Sequence, residues 1–489
     1  MSMARIVVLA AVFALSGCGR TTDRLRVAAA PVCASPGEPL PPLPAPRFAD
    51  GPTISAEGIR EDLAAWMIGM ASLNPDLSVR TDFDGMNREL GAVRAAIARP
   101  MSRREAWLLL ARVNPHLRDG HSGVMMPDLA GMMEVHLSQG GRLIPVEFRL
   151  DGAGVPRATA APTGVPARGD RIVAINGVPM TEIVAQLVAR VPGDTRRSRE
   201  AYVSHRFPAL YWWVFGDTGD YDITFADATG CERTARLTGA TRAPTSLQVQ
   251  PNPAELFQHR TIGEDIGYFR VATFDFSQRD ALAAAATAAF DDFKARSVRA
   301  VIIDVRDNTG GDDPLWQQSL MNNITITPYA QLSRYALRVT KQNADPGDVI
   351  GSVQRSDYTR RFTPDAENPR RFAGPVYVLA GPLSYSAAIQ FLVAAQDFHI
   401  ARIAGEETAA LSCQTGQVNP IAMPATGLRA FTPIIAYVRP SGRGCERGVI
   451  PDVPVAIDEV NPDRTLSALV DHVRTELRSA KNDAAGRRR

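Results

Sequence analysis

The sequence predicts an α/β domain with a mainly parallel sheet in its C-terminal half, preceded by a helical domain and a small β-rich domain. Three observations lead to this prediction. Strands and helices alternate over residues 255–480, short alternating strands fill residues 140–245, and residues 53–135 have helical periodicity. A chain of 489 residues is also too long for a single hydrophobic core, and its apolar content of 45% is that of a globular protein.

The N-terminus has the pattern of an export signal. Arg5 precedes an apolar run over residues 6–15 that is too short to span a bilayer, so residues 1–17 are predicted to be a signal peptide. The following Leu15-Ser-Gly-Cys18 is similar to the bacterial lipobox, which implies a lipid on Cys18; a plain signal peptide is the alternative. We therefore expect an exported lipoprotein of the cell envelope that faces the periplasm.

The residues after Cys18 add two expectations. Gly19 is not the aspartate that often retains lipoproteins at the inner membrane, so the outer membrane is favoured. Residues 18–52 are rich in Pro and Ala and are predicted to be a tether. The net charge of +2, with acids and bases mixed, gives no argument for nucleic acid as a partner.

The helical domain is predicted from several amphipathic runs. One begins at Ser55, a second spans about residues 86–97, and Ser102 with Glu105 forms a capping box before a third. The block ends in Asp119-Gly-His-Ser122, a turn that presents His121 on a loop. A lone histidine in such a turn is also consistent with a surface or capping role.

The β-rich domain over residues 140–245 contains a strand at 144–150 and a helix at 183–191. Asn176-Gly177 is a type I′ turn signal between two apolar pieces. Residues 169–177 read G-D-R-I-V-A-I-N-G and resemble the signature of PDZ domains in bacterial proteases. That resemblance implies binding of a peptide as an added strand, and the alternative is a structural β-module without a ligand.

The C-terminal half has the α/β pattern. Apolar runs predict strands at 266–272, 298–305, 376–379, 401–404 and 428–438, with an Ala-rich helix at 280–295. Strands that alternate with helices favour a mainly parallel sheet. The polar stretch 343–373 is predicted to be a surface excursion.

Ser386 lies where the strand at 376–379 gives way to a helix. Gly381-Pro382 ends the strand, and helical spacing of apolar residues begins at Tyr385. Unpaired N–H groups and the positive end of the helix dipole suit a nucleophile whose reaction builds negative charge. The alternative is that Ser384 or Ser386 serves only as the N-cap.

Two further segments can carry chemistry. Residues 304–311 read D-V-R-D-N-T-G-G directly after a strand, and their glycines can present N–H groups to an oxyanion. No phosphate-loop pattern is present. Glu446 lies in a Gly-rich loop over residues 439–452, where a solvated acid is the simplest interpretation.

Taken together, these motifs resemble one family, the C-terminal processing or tail-specific serine peptidases. The resemblance covers most of residues 55–460 and is strongest in four motifs that occur in the family's order. They are D-x-R-x-N-x-G-G at 304–311, S-A-A at 386–388, G-E-x-T at 405–408 and E-x-G-V-x-P-D at 446–452. The resemblance implies a serine peptidase that acts on peptides or proteins without a cofactor.

The chain departs from the best-known branch of this family, which uses a Ser–Lys dyad. No lysine follows G-E-x-T in residues 405–414, and Ile389 stands where an acid is frequent. The branch similar to tricorn core protease instead uses an upstream histidine and a late glutamate. The resemblance therefore implies a triad of Ser386, His121 and Glu446.

The same resemblance implies an oxyanion hole. We expect it to be formed by the backbone N–H groups of Ala387 and of Gly310 or Gly311. A non-catalytic envelope protein that holds a peptide or an apolar ligand on the same fold is the alternative. An α/β-hydrolase esterase is disfavoured, because no G-x-S-x-G surrounds a candidate serine.

Cysteine usage bears on metals and disulfides. Besides Cys18 the chain has Cys33, Cys231, Cys413 and Cys445, and no C-x-x-C spacing, so no metal site is expected. Export permits disulfides. Cys413 and Cys445 flank segments that we place near the active site and are a plausible pair, with free thiols as the alternative.

Overall fold

The computed structural model describes residues 44–48, 51–161, 163–244 and 247–486. The predicted signal peptide and the lipidation site Cys18 lie outside the described residues. Within the described ranges, no helix is both long enough and apolar enough to cross a membrane.

The N-terminal region is helical, as predicted, with one short strand before its last helix. Its elements are α1 (Ala56–Leu73), α2 (Phe83–Ala96), α3 (Arg103–Leu110), α4 (Asn114–Leu117), β1 (Gly123–Met125) and α5 (Leu129–Ser138). The predicted capping box is present at α3, where Ser102 Oγ accepts from the Glu105 N–H and the Glu105 carboxylate accepts from the Ser102 N–H.

The β-rich region contains a sheet and three helices. Its elements are β2 (Glu147–Leu150), β3 (Pro156–Ala160), β4 (Arg171–Ile175), β5 (Val178–Pro179), α6 (Met180–Val188), α7 (Arg196–His205), α8 (Phe207–Phe215), β6 (Asp220–Ala226) and β7 (Glu232–Thr238). The strand order is β2-β3-β4-β6-β7, with β5 paired to β4. Asn176 and Gly177 both have positive φ, as a type I′ turn requires. Helices α7 and α8 were not predicted: α7 is almost wholly polar, and α8 is apolar all round.

The C-terminal region has the largest number of elements. They are α9 (Pro253–Leu256), β8 (Phe257–Ile262), β9 (Ile266–Val271), α10 (Arg279–Ala295), β10 (Ala300–Asp304), α11 (Asp313–Trp316), α12 (Asn322–Ile324), β11 (Arg334–Arg338), β12 (Val353–Asp357), β13 (Val376–Ala380), α13 (Ala387–Asp397), β14 (Arg402–Gly405), β15 (Gln414–Ile421), β16 (Arg429–Val438), β17 (Val453–Pro454) and α14 (Pro462–Gly486).

A parallel sheet forms the centre of this region and confirms the predicted fold class. The order is β17-β14-β13-β10-β9-β8, with every pair parallel except β8 and β9. Strands β10 and β13 are buried along their whole length. Side chains of α10 and α13 cover one face of the sheet and those of α14 cover the other, which gives a three-layer arrangement.

A second, antiparallel sheet lies beside the parallel one and was not predicted. Its order is β1-β16-β11-β12, and β15 also pairs with β16. Strand β1 comes from the helical region and pairs with β16 through Gly123–Phe431, Val124–Ala430 and Met125–Arg429. This pairing brings the loop that precedes β1 to the C-terminal region.

The helical and β-rich regions share one continuous hydrophobic core. Trp66 and Trp107 of the helical region belong to the same buried cluster as Phe148 and Trp212 of the β-rich region. The two regions therefore form a joint support for the loops that face the C-terminal region.

Candidate active site

Ser386 is the N-cap of α13 and follows the turn after β13. Its φ is +52° and its ψ is −120°, a backbone conformation that is strained for a residue with a side chain. Its hydroxyl makes no capping hydrogen bond and lies 3.0 Å from His121 Nε2. Ser386 therefore has the capping position, while its side chain faces the histidine.

Ser384 has a structural role. Its hydroxyl is fully buried, donates to the Val305 carbonyl at 2.8 Å and accepts from the Gly381 N–H at 3.2 Å. These bonds fix the end of β13 against the end of β10. Of the two candidate serines, only Ser386 is presented to a base.

The loop after β10 packs directly against the nucleophile. Asn308 organises it: its side chain accepts from the Gly310 N–H at 2.8 Å and its carbonyl accepts from the Tyr385 N–H at 3.0 Å. Gly310 has a φ of +99°, and a Cβ at that position would lie 2.6 Å from Ser386 Cβ. The close approach between this loop and Ser386 therefore requires glycine.

The structure refines the predicted oxyanion hole. Ala387 is the first residue of α13, so its N–H has no acceptor within the helix. The Gly310 N–H is already bound to Asn308, which leaves the N–H groups of Ala387 and Gly311 as the candidate donors. The role of Gly310 is instead steric: because it has no side chain, it leaves room for Ser386.

His121 reaches Ser386 through the β1–β16 pairing. Arg118 ends α4 in the left-handed conformation with a φ of +49°, and a turn closed by the Ser122 N–H to the Asp119 carbonyl follows. Strand β1 then begins at Gly123. His121 is buried, and the turn carries it on a loop, as predicted.

Two hydroxyl groups meet the other ring nitrogen of His121. Its Nδ1 lies 3.1 Å from Thr415 Oγ1 and 3.1 Å from the Tyr385 hydroxyl. Thr415 Oγ1 donates onward to Asp119 Oδ1 at 2.9 Å, and the Tyr385 hydroxyl donates to Asp194 Oδ1 at 3.0 Å. Each hydroxyl therefore connects the imidazole to a buried carboxylate.

The two carboxylates share one cation. Arg80 lies 3.2 Å from Asp194 and 4.0 Å from Asp119, and it also donates to the Cys413 carbonyl. Burial would raise the pKa of Asp119, but the hydrogen bond with His121 and the charge of Arg80 hold it below its ordinary value. Asp119 is therefore ionised at neutral pH.

Within the part of the chain that the structure describes, no contact joins Glu446 to the imidazole, so its role in the triad stays a prediction. Its side chain is exposed on the wall of a cavity of about 900 Å³ that Asp119 and Thr415 also line. No hydrogen bond among the described residues joins Glu446 to His121. Glu446 follows Cys445, which the disulfide ties to Cys413, whereas Asp119 is only two residues from the histidine.

The predicted pair of cysteines is bonded. Cys413 and Cys445 form a disulfide with a Cα–Cα distance of 4.8 Å. Cys413 lies just before Gln414, where β15 begins, and two residues before Thr415. The disulfide thus joins the loop of Glu446 to the start of the strand that contacts His121.

The remaining family motifs have structural roles. Thr408 and Val449 exchange hydrogen bonds, in which Val449 N–H donates to Thr408 Oγ1 at 2.9 Å and Thr408 N–H donates to the Val449 carbonyl at 3.2 Å. Asp452 accepts from the Ile403 N–H at 2.8 Å. Asp304 forms a buried ion pair with Arg306 at 2.7 Å. These contacts hold the strand ends that surround the site.

Several residues at the site were missed in the sequence. Tyr385 and Asp119 are adjacent to predicted residues and could have been suspected from that proximity. Arg80, Asp194 and Thr415 carry no local signal, because only the folded chain brings them together. Among the described residues, no group of three or more His, Cys, Asp or Glu side chains is arranged to hold a metal ion.

An α/β fold with a serine at a strand–helix junction and a histidine within hydrogen-bonding distance defines the class of serine hydrolases. Residues 265–455 match the sequence model of Peptidase family S41. Residues 265–455 are therefore similar to a family S41 domain, and the match supports a serine peptidase, which implies a peptide or protein substrate.

Two solved structures of mature CPAF share the fold at low sequence identity. Mature CPAF complexed with lactacystin has a TM-score of 0.61 at 16% identity, over 88% of this chain and 99% of that chain. Mature CPAF alone gives 0.57 at 16% identity, over 85% and 97%. The photosystem II D1 C-terminal processing protease gives 0.45 at 17% identity, over 82% and 93%. No curated protein sequence matches the chain.

Proposed function

We propose that this peptidase cleaves peptide bonds through an acyl-enzyme on Ser386, with His121 as the general base. The observation that carries the proposal is the 3.0 Å separation between Ser386 Oγ and His121 Nε2. That distance is within the range required for direct proton transfer. Since an unassisted serine is a poor nucleophile at neutral pH, this contact is what makes Ser386 competent.

The proposed reaction has two halves. Ser386 Oγ attacks the carbonyl carbon while its proton moves to His121 Nε2, and the negative oxygen is held by the N–H groups of Ala387 and Gly311. The C–N bond then breaks, and His121 returns the proton to the leaving amine. Water attacks the acyl-enzyme in the same way, and the new carboxylic acid leaves as Ser386 recovers its proton.

We assign the orienting carboxylate to Asp119 in place of Glu446. Asp119 accepts from Thr415 Oγ1, which in turn contacts His121 Nδ1, and its carboxylate also lies 3.7 Å from that nitrogen. Such a carboxylate fixes the ring tautomer and stabilises the imidazolium that forms during attack. Glu446 is too exposed to do either.

The test is labelling with a fluorophosphonate serine-hydrolase probe. We expect labelling of the wild type, none of Ser386→Ala, and a loss of at least about a hundredfold in His121→Ala. Asp119→Asn is expected to label more slowly and Glu446→Gln at the wild-type rate. Ser441→Ala and His116→Ala, which change the same residue types away from the site, serve as controls.

Each result has a defined meaning. Labelling that survives in Ser386→Ala would reject the nucleophile, and a wild-type rate in His121→Ala would reject the base. If Glu446→Gln loses labelling while Asp119→Asn keeps it, the original triad of Ser386, His121 and Glu446 is restored. An unreactive, folded wild type would favour the alternative of a ligand-binding protein on this fold.

We further propose that the peptidase is an envelope lipoprotein. The support is the sequence Leu15-Ser-Gly-Cys18, preceded by a short apolar run. In a bacterial host, the full chain is expected to fractionate with outer membranes and to incorporate labelled palmitate. Cys18→Ser should abolish both, and palmitate incorporation that persists in this variant would contradict the proposal.

A further inference from the structure

Asp194 occupies a central place at the site although it belongs to the β-rich region. It lies in the loop between α6 and α7, and its side chain is fully buried. Its carboxylate accepts from the Gly120 N–H at 3.0 Å and from the Leu411 N–H at 3.0 Å. It therefore joins the loop of His121 to the segment that leads into β15.

A further contact of Asp194 leads to the histidine. Asp194 Oδ1 accepts the Tyr385 hydroxyl at 3.0 Å, and the same hydroxyl lies 3.1 Å from His121 Nδ1. The Tyr385 ring is also packed on the imidazole, with 4.9 Å between the ring centroids. Tyr385 thus contacts both the ring face and the ring nitrogen of the proposed base.

We propose that Tyr385 and Asp194 are positioning residues for His121, acting as a second hydroxyl bridge beside the one formed by Thr415 and Asp119. This inference rests on the proposed function, because it concerns the base of that reaction. It assigns to the β-rich region a direct part in holding the base, through a single buried carboxylate.

The positions of the protons support this assignment. For Nε2 to accept from Ser386 it must be unprotonated, so the ring proton of neutral His121 lies on Nδ1. Burial, and the charges of Asp194 and Asp119, raise the pKa of Tyr385 well above its ordinary value, so the hydroxyl keeps its proton. That proton is donated to Asp194, which leaves the Tyr385 oxygen free to accept from Nδ1.

Two acceptors at the same distance make the bridges redundant. Nδ1 carries one proton and lies 3.1 Å from both Thr415 Oγ1 and the Tyr385 hydroxyl. Loss of one hydroxyl leaves the other in place, so each single loss is partly compensated. Loss of both removes the two hydroxyl acceptors and leaves only the Asp119 carboxylate, at 3.7 Å, near Nδ1. The combined effect is therefore expected to exceed the product of the single effects.

The kinetic test uses a fluorophosphonate probe with separate measurement of the maximal inactivation rate, kinact, and the probe affinity, KI. Tyr385→Phe and Thr415→Val are each expected to lower kinact about threefold with KI unchanged, and the double variant about a hundredfold or more. Tyr377→Phe, which removes a tyrosine hydroxyl bound to Glu476 away from the site, is the matched control. A double variant whose loss equals the product of the single losses would overturn the redundancy.

The role of Asp194 is tested by comparing the same substitution in chains with and without the Tyr385 hydroxyl. Asp194→Asn should lower kinact in the wild-type chain but add nothing in the Tyr385→Phe chain, since its effect on the base passes through that hydroxyl. An equal loss in both backgrounds would assign Asp194 only to the loops it binds and would reject its role through Tyr385. Thermal unfolding of each variant identifies any that is not folded.

A second readout does not depend on the reactivity of Ser386. In protein labelled with ¹⁵N-histidine, the Nδ1–H resonance of His121, identified by its absence in His121→Gln, should shift in Tyr385→Phe and in Asp194→Asn but not in Tyr377→Phe. No shift in the first two would overturn the inference even if the peptidase is active. If this resonance shifts in both variants but the wild type does not react with the probe, the bridge through Tyr385 is supported and the proposed peptidase function is rejected.

Discussion

The two sheets of the C-terminal region contribute to the site in different ways. The parallel sheet carries Ser386 at the end of β13, and each of its central strands is close in sequence to the helix that covers it. The antiparallel sheet delivers His121 and Thr415, and it does so by pairing Gly123 with Phe431. The proposed nucleophile is therefore positioned by local structure, whereas the proposed base depends on contacts between distant parts of the chain.

The largest predicted effect comes from a change beside Ser386, at the end of the parallel sheet. Gly310→Ala places a Cβ 2.6 Å from Ser386 Cβ at a φ of +99°, so the loop or the nucleophile must move. We expect fluorophosphonate labelling to fall about a thousandfold, because both the nucleophile and the oxyanion donors are displaced. The rate of labelling measures this directly.

Gly91→Ala is the matched control. This glycine lies in α2 with open space around it, so alanine should leave labelling unchanged and raise the free energy of unfolding by about 0.5–1 kcal/mol. Full labelling of Gly310→Ala would contradict this prediction, because it would show that the loop can shift without disturbing Ser386.

The next largest effect comes from a change that removes the support of β1 in the antiparallel sheet. Buried Asn114 accepts from the Val124 N–H at 2.8 Å and donates to the Val124 carbonyl at 3.0 Å, and so supports β1 on the edge opposite β16. Asn114→Ala leaves these groups unpaired and should cost roughly 3 kcal/mol in the free energy of unfolding. Denaturant unfolding checks this value, with Asn419→Ala in β15 as a control that should change it little. Equal midpoints for the two variants would contradict the role of Asn114.

The smallest effect concerns pH. A rise in pH from the acid range destabilises the fold through Asp313 and stabilises it through Asp119. Burial raises the pKa of Asp313, just after the Gly310–Gly311 loop, to about 6. Its contribution to stability is therefore lost as pH rises from about 4 to 6, where the buried carboxylate ionises. Asp119, whose pKa is lowered, stabilises the fold above its unfolded pKa and loses this effect in acid.

Asp313→Asn isolates this contribution. The variant should exceed the wild type by about 2 kcal/mol in the free energy of unfolding above pH 6 and match it near pH 4. A constant difference across this range would mean that Asp313 does not titrate there. Denaturant unfolding at both pH values is the measurement.

The same contrast explains what the sequence could predict. The strand before Ser386, the helix after it, the turn at His121 and the capping box at Ser102 are all encoded within a few residues, and they are present. Strand β1 has three residues and thus no detectable period, so its pairing with β16 was not foreseen. Without that pairing, the contact between His121 and Ser386 rests on family resemblance alone.

The predicted role of Glu446 shows the limit of the family resemblance. The order of motifs indicated Glu446, but a Gly-rich loop does not determine which of its side chains faces inward. Asp194 and Arg80 could not be predicted, because each comes from a loop in a different region of the chain. Their role depends on the buried ion pair that they form with each other. Buried electrostatic groups of this kind become visible only in the assembled fold.

The pairing of β1 with β16 also sets how much of the chain must be made before His121 can be held beside Ser386. His121 and Ser386 are 265 residues apart, and the strand that holds the histidine loop in place is completed only at Val438. A growing chain that has been made only as far as α13 already contains both side chains but lacks the partner of β1. The contact between His121 and Ser386 therefore cannot be held in place until the chain has been made through β16.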